Sequence, residues 1–314
     1  MRHYRSMLAL AATSALAFGV GACGGDDAAG GGSEALSGEI RIDGSSTVFP
    51  FAEAAAELFN SEQPDVRVTV GQSGTGGGFE KFCAGETDIA NASRPIKKDE
   101  EVPKCEQEGI GFQETQVAND GVAVATNTNL EVDCLTTDQL KQVWNKGSDV
   151  ESLADLDPQL PDTPLSLYGP GTDSGTFDFF TDEINGEEGV TREDYEPSED
   201  DNQLVTGVAG DEGGMGYFGF SYYEQNQDKL NAVAIDSGDG CVEPSAETIQ
   251  NGTYEPLARP VFMYPSEQAL VRPEVKAFMN FVLENQQEIA EAAQVVPMTA
   301  EQAAASQEKL GAGA

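Results

Sequence analysis

Histidine occurs once in the 314 residues, as His3, so a chain that loses its first residues has no imidazole at all. That absence excludes Ser-His-Asp and Cys-His nucleophilic chemistry and His-based zinc sites. No Gly-x-Ser-x-Gly elbow and no Gly-Lys-Ser/Thr phosphate loop occurs either, which removes two further catalytic arrangements. Basic residues are scarce: 17 Lys+Arg stand against 55 Asp+Glu, a formal net charge of −38. Nucleic-acid binding needs a basic stripe, so no nucleic acid is expected as a partner. An anionic lipid surface is excluded on the same ground. The acids spread over expected helix faces and loops, with a dense run in residues 187–201 that reads as a solvated insert. The nearest approach to a calcium loop, Asp236-Ser237-Gly238-Asp239-Gly240, has Gly at its third and fifth positions and lacks the alternating ligands such a loop needs. No metal and no cofactor is expected.

Long apolar runs are also rare. The longest, residues 7–20, follows Met1-Arg2-His3-Tyr4-Arg5 and precedes Gly21-Ala22-Cys23. A basic start, a short apolar stretch and small residues describe a secretory signal over residues 1–22. A cysteine directly after small residues is the pattern of a lipidation site, here Cys23. Residues 23–38 then read as a flexible Gly/Asp/Ala tether. The expected location is extracytoplasmic, with the chain held to a bacterial cell membrane only by its lipid anchor. The tail, residues 303–314, is compositionally simple and is expected to fray.

Four cysteines remain: Cys83, Cys105, Cys134 and Cys241. An even number in an exported protein reads as disulfides, and four allow three pairings. Cys83–Cys105, closing a short loop, with Cys134–Cys241, stapling a middle segment, is the favoured one.

What the chain does contain is three Gly/Ser/Thr clusters, each where a strand hands over to a helix. They are Gly44-Ser45-Ser46-Thr47, Gly71-Gln72-Ser73-Gly74-Thr75-Gly76-Gly77-Gly78 and Gly169-Pro170-Gly171-Thr172-Asp173-Ser174-Gly175-Thr176. Hydroxyls and unpaired N–H groups at a helix start suit an anion, and the helix dipole favours negative charge there. Helix capping is the alternative for any single Ser or Thr. Three clusters together point to one oxyanion, bound by local donors against the field of an acidic chain.

Periodicity gives a βαβαβ rhythm over residues 39–92, which implies parallel strands with covering helices. A strand pair is expected at residues 113–116 and 122–126. A second βα series follows, with strands at 165–168, 215–218 and 232–235, and a returning strand at 259–264. The reading is α/β with two lobes, residues 39–118 plus 260–310 and residues 119–259. Ligands in open α/β sheets bind at the carboxyl ends of strands, so the clusters face a cleft between the lobes.

These motifs, with Asp88-Ile89-Ala90-Asn91-Ala92-Ser93-Arg94-Pro95-Ile96 and Gly216-Tyr217-Phe218-Gly219, resemble the PstS-type phosphate-binding proteins, extracytoplasmic receptors of phosphate ABC importers. The resemblance implies a two-lobed periplasmic-binding-protein-like (type II) fold with the ligand in the interlobe cleft. It implies inorganic phosphate and the importer's permease subunits as partners, a monomer, and no enzymatic activity. Carried residue by residue, it places phosphate among Ser46, Thr47, Ser73, Thr75, Ser93, Ser174, Gly175 and Thr176. Two departures stand out. Arg94 occupies the place where many members have an Asp that accepts the phosphate proton, and Pro170 stands where many have an Arg. Arg94 is therefore expected to present paired donors to the anion, with a structural salt bridge as the alternative, and Asp173 is the expected acceptor. Rival readings are a receptor for sulfate or molybdate, a secreted phosphatase, and an adhesion or signalling lipoprotein.

Overall fold

The computed structural model describes residues 36–172 and 174–312. The expected signal, Cys23, most of the tether and Asp173 lie outside the described residues. The chain begins as β1 (Gly38–Gly44), α1 (Phe49–Glu62), β2 (Val66–Val70), α2 (Gly74–Cys83), β3 (Ile89–Ala92) and α3 (Val102–Gln107). It continues through β4 (Thr115–Asn127), β5 (Cys134–Thr136), α4 (Thr137–Trp144), β6 (Ser166–Pro170), α5 (Gly175–Phe180), β7 (Glu196–Ser198), α6 (Asp201–Gly210) and β8 (Gly214–Gly219). Then come α7 (Phe220–Glu224), β9 (Leu230–Ala232), β10 (Ala234–Asp236), β11 (Cys241–Val242) and α8 (Ala246–Gln250). β12 (Ala258–Pro265), α9 (Glu267–Leu270), α10 (Pro273–Glu284), α11 (Gln286–Ala292) and α12 (Ala300–Ala312) complete it.

One sheet runs through both halves of the molecule in the order β2-β1-β3-β12-β4-β8-β6-β7, with β9 beside β4. β1 is parallel to both β2 and β3, as the βαβαβ rhythm requires. α1 turns Phe51, Ala52, Ala55 and Phe59 inward, a helical spacing that builds one apolar stripe. Phe59 meets Phe278 and Phe281 edge-on, each at 5.3 Å between centroids. The second half has its own core, in which Trp144 stands edge-on to Tyr217 at 4.8 Å.

The residues expected to form two strands around 113–126 form one, β4, buried along almost all its length. Asn119-Asp120-Gly121, all turn formers, lie between the two expected segments. The backbone of Asn119 instead exchanges hydrogen bonds with Val296, at 2.8 and 3.0 Å, which keeps it extended. β4 pairs with β12 at its start and β8 at its end, so it carries the chain from the first half to the second. β12 carries it back, antiparallel and directly alongside: Ala258, Arg259, Pro260 and Val261 oppose Gly121, Asp120, Asn119 and Ala118.

Two further expectations are corrected. The acidic insert is not wholly a solvated loop. Residues Glu196–Ser198 pair in parallel with β6, and the buried Arg192 donates to the carbonyls of Val143 and Val150 and to Asp194. Nor is the whole tail frayed. α12 buries Leu310 in the first core, and the buried Ser306 hydroxyl donates to Met298 Sδ at 3.8 Å. The favoured disulfides are both formed. Cys83–Cys105 ties α2 to α3, and Cys134–Cys241 ties the outer strands of a small β11-β10-β5 sheet. No helix among the described residues is long and apolar enough to cross a membrane.

Candidate anion-binding site

The first cluster follows β1. Gly44 has φ +146°, a region that favours glycine, and its Ser45 neighbour donates its N–H to the Asn91 carbonyl at 3.0 Å. The second cluster is the start of α2 itself. Gly78 lets that helix lie on β1: a Cβ there would sit 2.4 Å from the Gly44 Cα. This close approach brings the first two clusters together. The Ala-Ser turn after β3 joins them, because Thr75 Oγ1 lies 3.1 Å from Ser93 Oγ and accepts from the Ser93 N–H at 3.2 Å.

The third cluster comes from the other half. Ser174 caps α5, accepting from the Thr176 N–H at 3.2 Å. Gly175 packs on the first cluster, and Thr47 Oγ1 donates to its carbonyl at 3.3 Å. Capping therefore accounts for Ser174. It does not account for the first two clusters, since neither α1 nor α2 has a side-chain N-cap. Ser73, at the N-cap position of α2, instead donates to Asp43, which also holds Lys81 at 2.7 Å.

A cavity of about 810 Å³ lies on one side of the Thr47–Gly175 contact, lined by Ser46, Thr47, Ser73, Thr75, Ser93 and Gly175. A smaller one of about 400 Å³ lies on the other side and reaches Ser174 and Thr176. The sequence-expected hydroxyls and N–H groups thus converge, with Ser46, Thr47 and Gly175 on the wall shared by both spaces.

A scan of family models matches residues 29–286 to the PBP superfamily domain. The chain is 41% identical, over 275 residues, to the phosphate-binding protein PstS of Staphylococcus epidermidis, covering 87% of this chain and 82% of that one. The chain belongs to the PstS-type phosphate-binding protein family. It is also 48% identical to protein SphX of Synechococcus elongatus, over 83% of this chain and 78% of that one. Among solved structures it is similar to one described as a possible phosphate binding protein from Planctomyces limnophilus. That match has a TM-score of 0.83 and 41% identity, and covers 88% of this chain and 99% of that one.

Against the family pattern, the cations of the cleft are arranged in an unforeseen way. Arg94 lines the larger cavity, but its fork is engaged by Glu101: Nη1 and Nη2 donate to the two carboxylate oxygens at 2.9 and 2.8 Å. Nη1 also donates to the Pro95 carbonyl at 3.1 Å. The Glu101 hydrogen bond raises the Arg94 pKa against the lowering effect of burial. Burial pushes Glu101 upward, but the Arg94 hydrogen bond, the Lys97 N–H and the nearby charges together leave it below its ordinary value. This is the salt-bridge alternative.

A second arginine, Arg259, lines the same cavity. So do Asp178 and Glu183. Burial holds both carboxyls above their usual pKa; the Glu188 charge adds to this for Asp178 and the Asp182 charge for Glu183, while Arg259 pulls each back. Sequence reasoning assigned none of these three to the site. The available signal was position: Arg259 opens the returning strand, where a charge at a lobe crossing must face the cleft or a partner.

Proposed function

We propose that the chain is the extracytoplasmic receptor of a phosphate ABC importer, binding inorganic phosphate in the cleft and delivering it to the permease. The observation that carries this is the convergence of Ser46, Thr47, Ser73, Thr75, Ser93 and Gly175, drawn from both halves, on the larger polar cavity. Their neutral hydroxyls and N–H groups donate without bringing a mobile counter-ion, which lets an acidic protein hold an anion in a site closed to water. Closure of the halves around the anion would then signal the loaded state. Asp178 and Glu183 take the acceptor role for the phosphate proton in this reading. An ionised acceptor disfavours sulfate, which carries no proton to donate at neutral pH. The leader, lipidation at Cys23 and attachment to the membrane surface belong to the same proposal, as does the absence of catalysis.

Calorimetric titration of anion-free protein tests it. Phosphate is expected to bind and sulfate to compete weakly at pH 8. Equal binding of the two would overturn phosphate specificity. Turnover of a chromogenic phosphoester, or no binding of any oxyanion, would overturn the receptor reading. Mass spectrometry of the expressed lipoprotein, with Cys23→Ser as control, tests the anchor.

A further inference from the structure

We propose that Arg259 is the cation that binds the anion's charge, and that its place on the β4–β12 crossing couples binding to closure. This rests on the phosphate-receptor reading and names a residue that reading does not require. Three contacts hold the guanidinium. Its Nε lies 3.4 Å from Asp120 Oδ2, its cross-strand partner on β4. Its Nη2 donates to Thr47 Oγ1 at 2.7 Å, in the first half. Its Cζ stands 3.6 Å from the centroid of the Phe179 ring, in the second half. One side chain thus touches the crossing strands and both walls of the cleft.

The two arginines of the cavity differ in what they have left to offer. Both Arg94 terminal nitrogens serve the Glu101 carboxylate at 2.8–2.9 Å. Arg259 gives Asp120 only its Nε, at a long 3.4 Å, and among the described residues Nη1 has no hydrogen-bond partner. Its side chain is 16% exposed. A guanidinium with a long ion-pair contact and a donor left over can give that donor to an anion entering the cavity. Burial lowers its pKa, and the charges of Asp120, Glu183 and Asp178 only partly offset this. Thr47 Oγ1 accepts from Arg259 and donates to the Gly175 carbonyl. A pull on Arg259 is therefore passed to the contact between the halves. Arg259 is opposed to Asp120 within the strand pair itself, so its displacement acts on the crossing rather than on a loop beside it.

The test compares wild type with Arg259→Gln, Arg259→Lys and Arg94→Gln, with the distant, exposed Arg67→Gln as a control for net charge. Phosphate binding is read by calorimetry and closure by small-angle X-ray scattering at saturating phosphate. Arg259→Gln is expected to weaken phosphate binding by ~10–150-fold, the worth of a charged hydrogen bond. It should also lose the phosphate-induced decrease in radius of gyration. Arg259→Lys is expected to recover part of the affinity, which a packing role alone would not give, and it serves if the Gln variant fails to fold. Phosphate binding by wild type with unchanged affinity and closure in folded Arg259→Gln overturns this inference alone. A large loss of affinity in Arg94→Gln with none in Arg259→Gln overturns it in favour of Arg94. Wild type that binds no phosphate overturns the receptor reading and takes this inference with it.

Discussion

Replacing Gly175 by Ala should separate the act of closing from the stability of the fold. A Cβ at this position would stand 2.5 Å from the Thr47 nitrogen and 2.7 Å from both Ser46 Oγ and Thr47 Oγ1. Ordinary contacts lie at about 3.5 Å or beyond, so the halves must part by ~1 Å here. Two of the three atoms faced are hydroxyls that can rotate; the third is backbone and cannot. Gly175 is not among the glycines with positive φ, so alanine fits its backbone and should leave the phosphate-free protein as stable or slightly more so. The penalty falls on the closed state. Overpacking of one methyl costs about 1–3 kcal/mol, which is ~5–150-fold in Kd. Calorimetry would read the affinity, scattering the closed dimensions and differential scanning calorimetry the free protein. A Gly175→Ala protein that binds phosphate within twofold of wild type and closes to the same radius would refute the claim that this contact forms the shut cleft.

The two disulfides should differ in worth. Chain-entropy reasoning assigns about 4.8 kcal/mol to the 107-residue Cys134–Cys241 loop and about 3.4 kcal/mol to the 22-residue Cys83–Cys105 loop. Urea melts of the two Cys→Ala pairs should follow that order, and the reverse order would contradict it. Asp201 carries a pKa raised to about 7, first by burial and then by the charges of Asp200, Glu199 and Asp120. The folded state therefore holds its proton more tightly than the unfolded state. Its contribution is fully present below about pH 4 and is lost as pH rises through 7, on the order of 4 kcal/mol at most. Asp201→Asn should flatten the fall in stability between pH 5 and 8, and an unchanged slope would contradict this. Leu310→Ala should cost about 2–4 kcal/mol if α12 is packed as described; no change in melting would return the tail to a frayed state.

The legible parts of the fold were those written in local pattern. The 39–92 segment alternates strands and helices with clear periods, and the parallel pairing of its strands follows from the βαβ connections. The Gly/Ser/Thr clusters were legible because a helix start after a strand has chemistry of its own. Non-local support was not legible. Asn119-Asp120-Gly121 stays extended because β12 and Val296, both far along the chain, pair with it. Arg94 reads as an anion ligand from its motif, and the Glu101 carboxylate that engages its fork is not marked by any pattern in the sequence. Arg259 acquires meaning from Asp120, Thr47 and Phe179, none of them near it in sequence.

The adjacency of the two crossing strands also bears on the order of assembly. β3 has β1 on one side and β12 on the other, so its inner edge stays bare until the second half of the chain has emerged. All four of its residues are buried in the finished protein, and a bare apolar edge invites wrong pairing. The middle segment leaves and re-enters through neighbouring strands and is closed by a disulfide wholly within it. It can therefore mature as a stapled unit whose two ends are already side by side. Its folding delivers β12 to the waiting edge in register. Damage to the middle segment would then surface as aggregation of the first half, in residues that the damaged part does not contain.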